Sequence, residues 1–174
     1  MCEHCGCRGI EPIADLMDEH YEILDIAGDV RRLLAADDRR EAATKLAWLG
    51  QRLGEHVDRE ERGVFAALKS QDEFVEAVLE LEAEHVDFDA ELDLLDIEAP
   101  DFDERVAGLL RSLSHHVDQE NLGIFPVASV TLNAAGWDMV AKAHATPDAA
   151  PATELPEAQA SIRPEGPLVG DQRP

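Results

Sequence analysis

Apolar residues recur roughly every three to four positions through most of residues 11–145, the period of a helix buried along one side. In the first stretch Ile13, Leu16, Leu24 and Val30 fall mostly on one stripe, and Pro12 suits a first-turn position, so a helix is predicted over Pro12–Leu34. Asp38 with Glu41, Ser70 with Glu73, and Asp101 with Glu104 each have the form of a capping box, in which the first side chain and the third-following one satisfy free amides at a helix start. They predict three further helices ending near Lys69, Ile97 and Phe125, the last bent or ended by Pro126. Pro100 separates the third from the fourth, and a shorter helix is expected around Ala134–Ala143. No alternating strand pattern bounded by turns is present. The expected fold is all-α: an antiparallel up-down-up-down four-helix bundle with a short extra helix.

The two ends differ from this middle. Residues 1–10 form a cysteine-rich head, with Cys2, Cys5 and Cys7 around His4. Residues 146–174 hold six of the nine prolines and no aromatic residue, too little apolar surface to offset the entropy of ordering, so a disordered tail is expected. The helical domain is therefore placed at 11–145.

Charge narrows the partners. Thirty-eight acidic side chains against fifteen basic ones give a formal −23, which argues against nucleic acid and against docking on anionic membranes. A surface this acidic, with only three lysines, is compatible with high salt, although a well-solvated helical surface is the simpler account. No apolar run reaches the roughly 18 residues of a membrane span. The first residues lack the basic and apolar regions of a secretory signal, and three thiols clustered at one end cannot staple a fold, so a reducing cytoplasm is expected.

The candidate chemistry comes from an internal duplication. Residues 56–65 read HVDREERGVF and residues 116–125 read HVDQENLGIF, identical at six of ten positions. A weaker echo joins Glu19-His20 to Glu84-His85. The middle thus reads as two helical hairpins, each with one histidine on its first helix and His-x-x-x-Glu on its second. Residues four apart share a helix face, so His56 with Glu60 and His116 with Glu120 point together into the interior. Unpaired carboxylates there are costly unless a cation accompanies them. Four imidazoles and two carboxylates suit two ions of iron, manganese or zinc, with each glutamate able to bridge. A single His-x-x-x-Glu is usually a surface pair; the duplication, with a helical histidine before each copy, is what favours metal. His4 and His144 read as solvent histidines, and the alignment selects His116 over its neighbour His115. A ferritin-like site needs two Glu-x-x-His motifs and only Glu82-x-x-His85 has that form. The zinc-protease motif His-Glu-x-x-His is absent from the sequence.

The ordered pattern His20, His56-x-x-x-Glu60, His85, His116-x-x-x-Glu120, followed by Gly-Ile-Phe-Pro, resembles the hemerythrin-like (hemerythrin HHE cation-binding) domain, in its prokaryotic form, over roughly residues 10–145. The resemblance implies two iron ions in an oxo- or hydroxo-bridged di-iron centre held by these six residues, with Glu60 and Glu120 bridging. One departure stands out: oxygen-carrying hemerythrins have a fifth histidine, whereas His85 has Leu81 four residues before it and Asp89 four after. Tyr21, Asp89 or His115 is a candidate further ligand; otherwise each iron keeps an open position, which suits peroxide or nitric oxide chemistry better than reversible oxygen storage. The implied function is a redox or nitrosative stress protein meeting small oxidants (hydrogen peroxide, nitric oxide, O2), as a peroxide- or nitric-oxide-consuming oxidoreductase. The alternatives are a non-catalytic sensor or iron reservoir acting through a partner, and an ion that merely staples the helices. Cys2, Cys5 and Cys7 form a candidate second metal or redox group, able to exchange disulfides with a redox protein partner.

Overall fold

A computed structural model describes residues 6–145. Cys2, His4, Cys5 and the tail 146–174 lie outside the described residues, and with them the cysteine grouping and the expected disorder. Cys7 begins a single 3-10 turn, Cys7–Gly9, whose Arg8 pairs with Asp18 and lies over the Tyr21 ring.

Every regular element among the described residues is helical, with no strand. α1 spans Glu11–Ala35, α2 Arg39–Glu60, α3 Ala66–Ser70, α4 Val75–Asp93, α5 Phe102–Gln119, α6 Phe125–Thr131 and α7 Ala134–Ala145. α2 and α3 are joined without a break by a π-helical turn, Glu61–Phe65, and α5 and α6 by another, Glu120–Ile124. In each turn a backbone N–H reaches back five residues, from Ala66 to Glu61 and from Phe125 to Glu120. Such turns insert one extra residue into a helix and recur at functional sites. α1 packs along α2 and against α5, α2 and α5 each pack on α4, and α7 lies over the first π turn. There Gly63 keeps a close approach: a Cβ on it would sit 3.3 Å from that of Ala143.

Several local expectations need correcting. The α1 stripe runs through Ile23, while Leu24 is only half-buried. Asp38 caps α2 as expected, accepting from the Glu41 amide at 3.2 Å. Ser70 does not open the third rod. It lies in the last turn of α3, where its hydroxyl donates back to the Ala67 carbonyl, and α4 starts later, after Phe74 in a left-handed conformation. Asp101 occupies the N-cap of α5, but its side chain makes no capping bond. Pro126 does not end its rod. It is the second residue of α6, directly after the π turn in which the Phe125 N–H reaches back to the Glu120 carbonyl. α4 ends at Asp93, short of Ile97.

The core has two apolar clusters that share no residue. One is built around Phe65, Leu68, Phe125 and Val140, the other around Ile23, Leu49, Phe102 and Leu110. Along α1, His20 separates Met17 of the first cluster from Ile23 of the second, and His85 likewise separates Leu81 from Phe88. All six buried polar residues among the described ones, His20, His56, Glu60, His85, His116 and Glu120, lie in this interval. They form a polar layer across an otherwise hydrocarbon interior.

Candidate metal centre

The layer resolves into two groups of potential ligand atoms. His20, His56, Glu60 and Glu120 form one; Glu60, His85, His116 and Glu120 form the other, each with one donor atom per residue within 4.8 Å of the rest. Both glutamates belong to both groups. Glu120 divides its oxygens between them: Oε2 is 3.0 Å from His20 Nε2, and Oε1 is 2.8 Å from His116 Nε2. Glu60 Oε2 is 3.9 Å from His56 Nε2 and 3.6 Å from His85 Nε2.

Every imidazole is oriented by an outer acceptor on its Nδ1. His56 is held by Glu19 at 2.8 Å, His85 by Glu61 at 2.9 Å and His116 by Glu84 at 2.7 Å. The side-chain amide oxygen of Asn121, Oδ1, takes the same place for His20 at 3.1 Å. A carboxylate only accepts, so Nδ1 carries the proton and Nε2 turns inward with its lone pair. Phe125 stacks on His20 with centroids 5.6 Å apart, and Phe65 on His85 at 5.9 Å. Phe88 meets His116 edge-on. The rings are thus fixed in both tilt and direction.

The inward atoms lack conventional partners. Both oxygens of Glu60 and of Glu120, and Nε2 of His20 and His56, are buried without a hydrogen bond. The short approaches to Glu120 are close in distance but not aligned for donation. His85 Nε2 and His116 Nε2 face each other at 2.9 Å, although both outer nitrogens already spend their protons on carboxylates. Buried polar atoms normally find partners, and an orphan costs about 1–3 kcal/mol. Imidazole and carboxylate donors converging without protons between them fit cations of intermediate hardness.

Acid–base shifts express the same crowding. Burial, and then the negative charge of Glu120, push Glu60 well above the ordinary carboxyl range. Burial would raise Glu120 too, but the imidazoles of His116, His20 and His85 hold it well below that range. Burial lowers His56 to about 4 against the pull of Glu19. Burial also acts downward on His116, yet Glu120 and Glu84 carry it upward overall. Glu19 is held at about 2, because hydrogen bonds from His56 and Arg59 outweigh its burial. Ligation needs both groups deprotonated, so any proton held by Glu60 or His116 in the metal-free molecule would be released on binding.

The family model described as the hemerythrin HHE cation binding domain matches residues 11–128, about two thirds of the chain. The chain belongs to that family. No curated protein and no solved structure matches it significantly. All six sequence-selected ligand candidates of this hemerythrin-family chain come together within the matched span, while α7 lies beyond it. Asp89 and His115 are exposed and belong to neither group, and Tyr21 is half-buried beneath Arg8. Among the described residues no helix is long and apolar enough to cross a membrane.

Sequence reasoning missed the outer acceptors. Their signal lies in the duplication itself. Glu19 and Glu84 each precede a first-helix histidine and each hold the histidine of the other helix in the same hairpin. Glu61 and Asn121 each follow a shared glutamate and hold a first-helix histidine.

Proposed function

We propose that this chain holds two iron ions, one in each His2Glu2 group, with Glu60 and Glu120 bridging, and that the pair reacts with small oxidants such as hydrogen peroxide, nitric oxide or O2 in a stress response. The supporting observation is the pair of buried carboxylates that lie in both groups and have no hydrogen bond. Packing of α1 on α2 and α5, and of α4 on α2 and α5, closes a ring that supports an antiparallel four-helix bundle around the layer. When bound, the ions would supply Lewis acidity and a store of electrons. The chain's own residues do the rest. Glu19, Glu61, Glu84 and Asn121 fix the imidazole tautomers. Phe65, Phe125 and Phe88 exclude bulk water. Four side-chain donors in each group leave room at the ion for a small molecule.

A cleft of about 600 Å³ between α4 and α5 is lined by Glu84 and Phe88, both touching His116, and offers the approach for such a molecule. His115 lies on its wall, a placement that suits traffic through the cleft better than ligation. We place the protein in the cytoplasm, served by a redox protein partner that the thiols of Cys2, Cys5 and Cys7 would meet. The rival reading, a binder or iron reservoir that signals through a partner, shares the same centre.

Metal analysis and an optical spectrum of the purified protein test the centre: two irons per chain with near-ultraviolet charge-transfer bands are expected. Steady-state consumption of peroxide or nitric oxide supports the enzyme. A stoichiometric, reversible spectral change without turnover supports the binder, and metal-free protein that takes up no iron refutes both.

A further inference from the structure

The outer acceptors break the symmetry that the six inner residues keep. The duplication aligns Asn121 with Glu61, so the same place on the two π turns carries a neutral amide in one half and a carboxylate in the other. In the His85/His116 group both imidazoles are backed by carboxylates, Glu61 at 2.9 Å and Glu84 at 2.7 Å. In the His20/His56 group only His56 is, and its partner Glu19 also binds Arg59 at 2.7 Å through its other oxygen, which shares out the negative charge. His20 has only the Asn121 amide.

Glu60 and Glu120 are common to both groups and all four histidines are buried. Inner donor type and burial therefore do not separate the two positions, and the outer partners do. A carboxylate on Nδ1–H draws that proton away and strengthens donation from Nε2, and losing such a partner costs about 10–100-fold in metal affinity.

We infer that Asn121 makes the two metal positions unequal, so that the His85/His116 position fills first and the His20/His56 position fills last and empties first. This rests on the two-metal reading above. It gives the chain a defined one-metal state and makes the His20 side the place where an ion is gained or lost. The property belongs to residues 19, 61, 84 and 121 and not to the ligands themselves.

The test is sequential loading. Metal-free full-length protein receives one equivalent of iron-57(II) without oxygen, then one equivalent of iron-56(II), and is frozen for Mössbauer spectroscopy. Wild type should show one quadrupole doublet, and reversing the isotopes should show a different one. Asn121→Glu, which copies the residue at position 61, should spread the label over both doublets and bring the two dissociation constants to within about threefold, from about 10–100-fold apart. Glu84→Gln, at a half-exposed site on α4, should spread the label as well and weaken the first binding step, which keeps the test open should Asn121→Glu fail to fold.

Two irons per chain with equal doublets in wild type, whatever the order of addition, overturns the inequality and leaves the two-metal centre intact. A label distribution unchanged in Glu84→Gln overturns it too. Fewer than two irons in fully loaded wild type removes the centre itself.

Discussion

Replacing Glu60 with leucine separates a site held for a cation from one that merely braces the fold. Glu60 is fully buried, and neither of its oxygens has a hydrogen bond. Leaving a buried polar group unmatched costs about 1–3 kcal/mol, and exchanging buried ionic groups for hydrocarbon of similar volume ranges from neutral to stabilising by about 1–4 kcal/mol. Leucine fits that exchange and also relieves the repulsion between Glu60 and the neighbouring negative charge of Glu120, which contributes to the raised Glu60 pKa. Chelator-stripped Glu60→Leu should therefore be more stable than stripped wild type by about 1–3 kcal/mol. At about 2–4 °C per kcal/mol for a chain of this size, that is a rise in Tm of about 2–12 °C. With iron(II) present the order should invert, because ligand bound to the native state stabilises wild type by mass action, about 2.7 kcal/mol at a hundred times Kd, and the variant lacks a shared ligand. Thermal unfolding followed by circular dichroism, with and without iron and under nitrogen, reads both arms. A stripped variant less stable than stripped wild type would refute the reasoning, since Glu60 would then support the fold without any ion.

Two further expectations concern the same layer. His116→Ala should lose bound iron while His115→Ala keeps it, because His116 is buried against Glu120 and His115 is exposed on the cleft wall; equal loss measured by metal analysis would mean that the α5 register is wrong. For pH, His56 is lowered from 6.5 to about 4, so the unfolded chain binds its proton more readily than the native one. Its contribution is fully present above pH 6.5 and lost as pH falls toward 4, a change of up to about 3 kcal/mol across that window. Urea titrations of metal-free protein between those pH values should show the slope, and His56→Leu should flatten it.

The sequence showed the inner site better than its supports. His-x-x-x-Glu spacing transfers directly onto one helix face, so His56 with Glu60 and His116 with Glu120 were legible from period alone, and the duplication carried His20 and His85 with them. The π turns were not legible. An inserted residue leaves the apolar period on either side nearly intact, and Pro126 looked like a stop because its position after the second turn depends on that insertion. The Ser70–Glu73 pair had the form of a helix start, but packing of α3 carried the rod through Ser70 and left its hydroxyl to bond backward. Glu19, Glu61 and Glu84 were hidden among 38 acidic residues, since which of them turns toward a histidine depends on tertiary contact across helices.

The polar layer also bears on chain entropy. Residues that would share an ion there are far apart along the chain: His20 and Glu120 belong to one group and are separated by a hundred positions. Tying a loop of that length restricts the unfolded chain by about 4.7 kcal/mol in the loop-closure picture used for disulfides. Coordinate bonds at mid-height would thus act as the cross-links of this molecule, joining two apolar clusters that share no side chain. Such cross-links respond to chelators and acid and are indifferent to thiol reductants, so the rigidity of the fold would be set by iron supply.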